Sequence, residues 1–289
     1  MGEKDAAEKT LESYNDVFAE LVNGLLFNGK QVVKENELKA ESENSIYKAD
    51  GKLHEQERDV AKYWKNGEIR IALYGLENQT SIDSDMPIRV LSYDGAAYRN
   101  QLNLEKEQKR YPVITLVLYF GDARWKKPVT LFECLNIPEK LKPFVNDYKI
   151  NLFEITKLTD SQISCFKSDF KVVADYFVKR NKVPDYRGTK DVIKHVDEFF
   201  KLMKVLTNDN TFETVYNENI SKGTGGVTMD RFLNSVMEKG VQKGLTSGKA
   251  EIIQEMIKKG NMSVEQIASI LKLPVEKVRE LAEMVLVTA

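Results

Sequence analysis

Glu77 and Gln79 stand two residues apart in the stretch Tyr74-Gly75-Leu76-Glu77-Asn78-Gln79, at the end of an apolar, β-rich run. Alternate side chains of an extended chain project from one face, so the carboxylate and the amide point the same way. Upstream, Asp59 sits on the run expected to pair with this one. Carboxylates from neighbouring strands suit a hard divalent cation, which polarises a phosphodiester and activates a water. A polar group beside them positions that water or the transition state. An acid on one strand, followed by an acid and a polar residue on the next, supplies this set. Glu77 ends an apolar run, where an inward carboxylate is costly without a partner or a metal. Asp59 on its own reads as a solvent-facing acid, and only its neighbours make it a candidate.

The elements that must position these groups are legible around them. Two extended runs, Arg58 to Trp64 and Ile69 to Leu76, are separated by Lys65-Asn66-Gly67-Glu68. Asn-Gly between such runs is a strong hairpin signal, because both residues tolerate positive φ. The register matters. A three-residue loop puts Asp59 opposite Leu73, on the face of Glu77 but about 13 Å away at strand rise. A two-residue loop turns Asp59 to the other face. Sharing one metal then requires a bulge, a longer loop or splayed strands. With regular pairing, Glu57 or Glu55 is the better-placed partner.

Ahead of the hairpin, Phe18, Leu21, Val22, Leu25 and Leu26 recur at helical spacing, with Asp16 and Glu20 four apart on one side of that helix. Gln31-Val32-Val33 reads as a short strand, and residues 34–56 as polar loop with one more strand near Ile46-Tyr47. Pro87 opens a helix through Arg89, Val90, Tyr93, Ala97 and Gln101. Arg89 and Tyr93, four apart, either face the site or a phosphate or simply pack. Val113 to Phe120 has the composition of a central buried strand, and Ile150 to Ile155 of another. One helix capped near Thr159 or Asp160 carries Ile163, Phe166, Phe170, Val173 and Phe177. The next carries Val192, Val196, Phe199, Met203 and Leu206, with His195 among apolar neighbours in a structural role. This order predicts an α/β (α+β) core, a mixed central sheet flanked by helices, with a C-terminal helical tail. The expected divisions are a core over 12–215, a linker over 216–226 and a tail over 227–289.

Composition narrows the classes. At 289 residues and 42% hydrophobic content the chain can bury one substantial core and a smaller appended unit. A net charge of -1 neither supports nor excludes nucleic-acid binding, since an enzyme needs only a locally positive groove. Lys106, Lys109 and Arg110, with Lys126 and Lys127, either touch phosphates or form a solvated surface. Cys134 and Cys165 are too few for a disulfide framework or a thiolate zinc site and read as small core residues. With His54 and His195 the only histidines, a histidine-rich zinc site is excluded. The N-terminal stretch lacks a hydrophobic signal core and no apolar run is long enough to span a bilayer, so a cytoplasmic protein is expected.

In these features the chain resembles the recombination-promoting nucleases of the PD-(D/E)XK superfamily, whose pattern is an Asp on one strand and an acidic-X-Lys on its neighbour. Members of that family are similar in carrying Glu-X-Gln, matched by Glu77-Asn78-Gln79. Arg58-Asp59-Val60 and Met86-Pro87-Ile88-Arg89 leading into Tyr93-Asp94-Gly95-Ala96-Ala97-Tyr98 match as well. The resemblance covers most of residues 12 to 285. It implies a restriction-endonuclease-like core and a DNA endonuclease using Mg²⁺ or Mn²⁺. Asp59 and Glu77 would be metal ligands, Gln79 would stand where the superfamily has its lysine, and Glu20, or Asp16 on the same helix, would add an acid. Glutamine cannot offer the positive charge of lysine but still orients water. A role in recombination, mobile elements or phage defence is implied by the same likeness.

Gly240, Gly244 and Gly248 recur every four residues in otherwise helical sequence, each costing about 1 kcal/mol relative to alanine. They mark either a close helix contact, such as one between two copies, or a frayed connector. Beyond them Ser263 and Gln266 form a capping box, and two short helices divide near Leu273-Pro274. That outline fits DNA reading or plain protein packing. The rivals to the nuclease reading are a nuclease-fold protein that binds DNA or a partner without cutting, and a self-associating regulatory protein.

Overall fold

The computed structural model describes residues 11–40, 44–49, 52–57, 60–65, 68–76, 83–103, 109–217, 226–260 and 262–284. The chain divides into two compact units, Met1–Asp230 and Arg231–Ala289.

The first unit is built on a five-stranded sheet of order β1-β4-β5-β6-β7. Its strands are β1 (Lys39–Ala40), β4 (Val60–Trp64), β5 (Ile69–Leu76), β6 (Val113–Tyr119) and β7 (Asn151–Glu154), and a separate hairpin is formed by β2 (Asn44–Ala49) and β3 (Lys52–Glu57). β4 runs antiparallel to β5, whereas β5, β6 and β7 are mutually parallel. Parallel strands need crossovers, and α2 (Met86–Asn100) makes the one from β5 to β6. β6 is the continuous apolar run expected of a central strand, with Leu116 through Tyr119 each 1% exposed or less.

Register assigns the faces. Val60↔Leu73 and Lys62↔Ile71 pair across β4 and β5, and Ile71↔Ile114 and Leu73↔Leu116 across β5 and β6, so these residues share one face. α1 (Asn15–Phe27) covers that face. There the buried Lys62 ammonium donates to the Ser13 carbonyl and to Asn15 Oδ1, both at 2.5 Å, with its charge 5.6 Å from the Phe18 ring. α5 (Phe170–Lys179) adds Phe170 and Phe177, both edge-on to Phe120. Thr115 and Val117 alternate onto the opposite face, where α2 contributes Met86, Val90 and Tyr93 to a cluster with Val117 and Ile150. The result is a mixed sheet with helices on both sides, the expected α/β class with a C-terminal helical region.

Two small residues let α1 approach its neighbour. A Cβ at Gly24 would lie 2.2 Å from the Phe166 ring, and one at Gly29, where φ is +80°, 2.7 Å from Cys165 Cβ. Larger residues at either place would force the helix away.

Several expectations are corrected. Gln31 to Val33 are not a strand. The buried Asn23 amide donates to the Val33 carbonyl at 2.8 Å and accepts from the N–H groups of Val32 and Val33, so their backbone is satisfied without a sheet. The polar stretch holds the strand expected near Ile46-Tyr47, as β2, but also β3, which pairs with it where loop was expected. The helix expected from Thr159 onward is two, α4 (Asp160–Ser164) and α5, with α3 (Leu131–Cys134) preceding them. Between α4 and α5, Asp169 spends its carboxylate on the N–H groups of Lys194 and His195, at 2.9 and 2.7 Å. Val192 is 61% exposed and precedes α6 (Val196–Thr207), which α7 (Thr211–Val215) follows. Cys134 and Cys165 are only half-buried, and their thiols point to the Ser84 carbonyl and to the Asn28 and Ser161 carbonyls.

In the second unit, the later turns of α8 (Met229–Gly260) pack with α9 (Val264–Leu271) and α10 (Val275–Met284) around Ala250, Ile253, Ile267, Ala268, Val278 and Leu281. Ser263 and Gln266 form the expected capping box.

Candidate functional site

Asp59, Glu77 and Gln79 lie outside the described residues, as does the side chain of Glu57. What is described is the hairpin that brackets them. β4 begins at Val60, one residue after Asp59, and β5 ends at Leu76, one residue before Glu77. The pairing runs from Trp64↔Ile69 to Val60↔Leu73. That is the parity of the two-residue Asn-Gly connection, not of the three-residue one. One common metal for residues 59 and 77 therefore requires a departure from the regular ladder beyond residues 60–76. Glu55 and Glu57 do not take over as partners of β5, because they belong to β3 and pair with Ile46 and Asn44 of β2.

α1 carries the other candidate acids. Asp16 places its two carboxylate oxygens 3.0 and 3.1 Å from His195 Nε2, and the His195 ring stacks on Tyr14 at 3.7 Å. His195 thus joins the start of α1 to the start of α6, and its role as the hydrogen-bond partner of Asp16 was hidden by its apolar sequence neighbours. Glu20 Oε2 accepts the Lys167 N–H at 2.9 Å, next to Phe166, against which Gly24 packs. Both acids help to dock α1, and Glu20 keeps a second oxygen. Among the described residues no group of three or more His, Cys, Asp or Glu side chains gathers as a metal cage.

On α2 the two candidates separate in role. Arg89 pairs with Asp83 at 2.8 Å on the surface, and its second amino group lies 3.4 Å from the Tyr93 hydroxyl. Partial burial works against the Asp83 carboxylate, but Arg89 and the Asp85 N–H hold its pKa below the ordinary range. Tyr93 is buried in the cluster with Val117.

A further ionisable group of this layer is its neighbour Asp94. It is buried and accepts hydrogen bonds from the Thr115 hydroxyl at 2.6 Å and from the Tyr148 hydroxyl. Burial pushes its pKa up, against those hydrogen bonds and the nearby Arg70 charge. The same pairing, with burial as the larger cause, pushes the Tyr148 phenol well above its ordinary value. A signal existed in the sequence: Asp94 lies between Val90 and Ala97 on the buried stripe of α2.

A central mixed sheet with helices on both faces defines an α/β protein. The family model described as "Putative transposase, YhgA-like" matches residues 32–211, and the chain belongs to that family, the PD-(D/E)XK-type transposase and recombination-promoting nuclease group. Comparison with curated proteins and with solved structures gives no match. No described helix is long and apolar enough to cross a membrane.

Proposed function

We propose that the chain is a divalent-metal-dependent DNA endonuclease serving recombination, mobile elements or phage defence inside the cell. The observation that carries this reading is the placement of the β4–β5 hairpin in the body of the sheet. The chain enters it directly after Asp59 and leaves it directly before Glu77. Membership of a transposase family supports DNA as the partner.

The donors fit Mg²⁺ or Mn²⁺. Asp59 and Glu77 offer hard carboxylate oxygens, and residues 58–79 contain no cysteine or histidine. Such an ion, when bound, supplies Lewis-acid polarisation of the phosphodiester and a more acidic water. Gln79 orients the attacking water by hydrogen bonds, and its neutrality leaves more of the developing charge to other groups. Glu20 and Asp16 support from α1, and Arg89 offers a guanidinium to a phosphate while Tyr93 anchors the helix beneath it.

Nicking of supercoiled plasmid tests this. The wild type is expected to nick with Mg²⁺ and stop with a chelator. Glu77→Ala should lose more than the roughly 10–100-fold typical of a residue that merely supports a ligand. A wild type that binds DNA yet never nicks would leave a nuclease-fold binder instead.

A second reading, self-association through the tail, rests on a separate observation. Met237, Val241, Leu245 and Ile252 of α8 are 46–56% exposed, and a Cβ at Gly240, Gly244 or Gly248 would meet open space. At helical spacing the four apolar residues and Gly248 share one side. An antiparallel pair with its two-fold axis between Gly244 and Leu245 sets Gly244 against Leu245, Gly248 against Val241 and Met237 against Ile252. It also brings Glu238 near Lys249 of the second copy, on one flank. A two-fold interface requires this self-complementarity. Gly244→Leu should strengthen the isolated helix by about 0.8–1 kcal/mol while reducing the mass in light scattering to that of the monomer. An unchanged mass would remove this reading.

A further inference from the structure

Between β6 and β7 the chain makes an excursion closed at its neck by short backbone pairing. The Leu131 N–H donates to the Tyr148 carbonyl at 2.9 Å, the Ile150 N–H donates to the Val129 carbonyl at 3.0 Å, and Thr130 bridges Lys149. Its interior is stiff. Thr130 and Glu133 form a capping box on α3, Asp147 accepts the Phe132 N–H at 2.9 Å, and a 3₁₀ turn over Glu139–Phe144 is flanked or interrupted by Pro138 and Pro143. The tip presents Phe144 at 83% exposure, with Leu141 at 52% and Leu135 at 39%. A rigid turn showing an aromatic ring almost wholly to water has no explanation in folding, since burying the ring would have been favourable.

The charge of the excursion is distinctive. Residues 124–149 hold six basic residues (Arg124, Lys126, Lys127, Lys140, Lys142, Lys149) and three acids (Glu133, Glu139, Asp147), a net of +3 on a chain of net charge -1. The acids are spent inside the excursion: Glu133 in the capping box, Asp147 on backbone N–H groups, and Glu139 on Lys142 at 2.5 Å. Lys126, Lys127, Lys140 and Lys149 are exposed. Its base is tied to the segment that joins β5 to α2: Cys134 Sγ lies 3.4 Å from the Ser84 carbonyl, and the Tyr148 hydroxyl bonds Asp94 of α2. Ser84 follows Gln79 by five residues.

We propose that this excursion is a DNA-binding prong, with Phe144 and Leu141 against the bases of duplex DNA and the exposed lysines of the same excursion on its phosphates. Apolar side chains that wedge at a base step need a rigid mount and a basic surround, and both are present. The prong deepens the endonuclease reading in taking DNA as the ligand, but it requires no cleavage. The chemistry favours DNA over an apolar protein partner because the excursion that carries the exposed ring has a net charge of +3 and exposes Lys126, Lys127, Lys140 and Lys149.

The test is fluorescence anisotropy of a labelled 30-base-pair duplex with the full-length protein in chelator, where cutting cannot contribute. Phe144→Ala is expected to weaken binding about 10-fold. Lys140→Glu should weaken it too and lower the dependence on salt by about one phosphate contact. Unfolding is read by the melting temperature, which a residue this exposed should not move. Wild-type affinity for Phe144→Ala would overturn the prong, whatever else the substitution changes. Failure of the nuclease reading looks different: plasmid stays uncut while Phe144→Ala still weakens binding.

Discussion

Along β6, Leu116 to Tyr119 are buried whichever face they meet, whereas along α8 the apolar positions divide. Ala250 and Ile253 are buried with α9 and α10, while Met237, Val241, Leu245 and Ile252 are about half-exposed. A strand covered on both faces has only its ends left for chemistry. The sheet unit thus buries its central strand on both faces, α8 keeps part of its apolar surface exposed, and Phe144, 83% exposed, is the most exposed large apolar side chain among the described residues.

The sharpest way to break this contrast is within α8. Ile253→Ala should cost about 2–5 kcal/mol of folding stability, as expected for a fully buried aliphatic side chain. Val241→Ala, on the open face, should stay within about 0.5 kcal/mol and should lower self-association instead. Equal losses for the two in urea titration would mean that the helix has no free face. A smaller effect, on pH dependence, sharpens the description of the sheet unit. Burial raises the Asp94 pKa above its ordinary 3.8. A carboxyl shifted this way contributes stability that is complete below the unfolded pKa and is lost as pH rises through the folded one. Asp94→Asn keeps one oxygen to accept from Thr115 or Tyr148, sets an amide N–H against the other hydroxyl and cannot ionise. The urea midpoint of the wild type should therefore gain on the variant as pH falls from 7 toward 4. A constant difference between the two across that range would contradict the assignment.

Much of this fold was legible in the sequence because strong periodicity and composition survive packing. β5, β6, α2 and the Ser263 capping box stand where apolar runs, Pro87 and Gln266 predict them. Of the β2–β3 hairpin only β2 was legible, as the strand expected near Ile46-Tyr47; β3 was not, because Lys52–Glu57 is polar and lacks an apolar alternation. The break between α4 and α5 was hidden because Ile163, Phe166, Phe170, Val173 and Phe177 keep helical spacing straight through it. At the break Asp169 is bonded to the N–H groups of Lys194 and His195, 25 and 26 residues further along the chain. For the candidate site, the sequence named Asp16 and Glu20 as acids, but only tertiary structure shows them bonded to His195 and Lys167. Register parity was the sequence's open question, and Val60↔Leu73 answers it for the described ladder.

The central claim is that the acids at 59 and 77 serve one cation. Mn²⁺ titration followed by electron paramagnetic resonance measures this on the wild type, Asp59→Ala, Glu77→Ala and the double variant. The account predicts one tight site that either substitution removes, with the double variant no worse than the singles. A site that survives both substitutions, or losses that simply add, would contradict it.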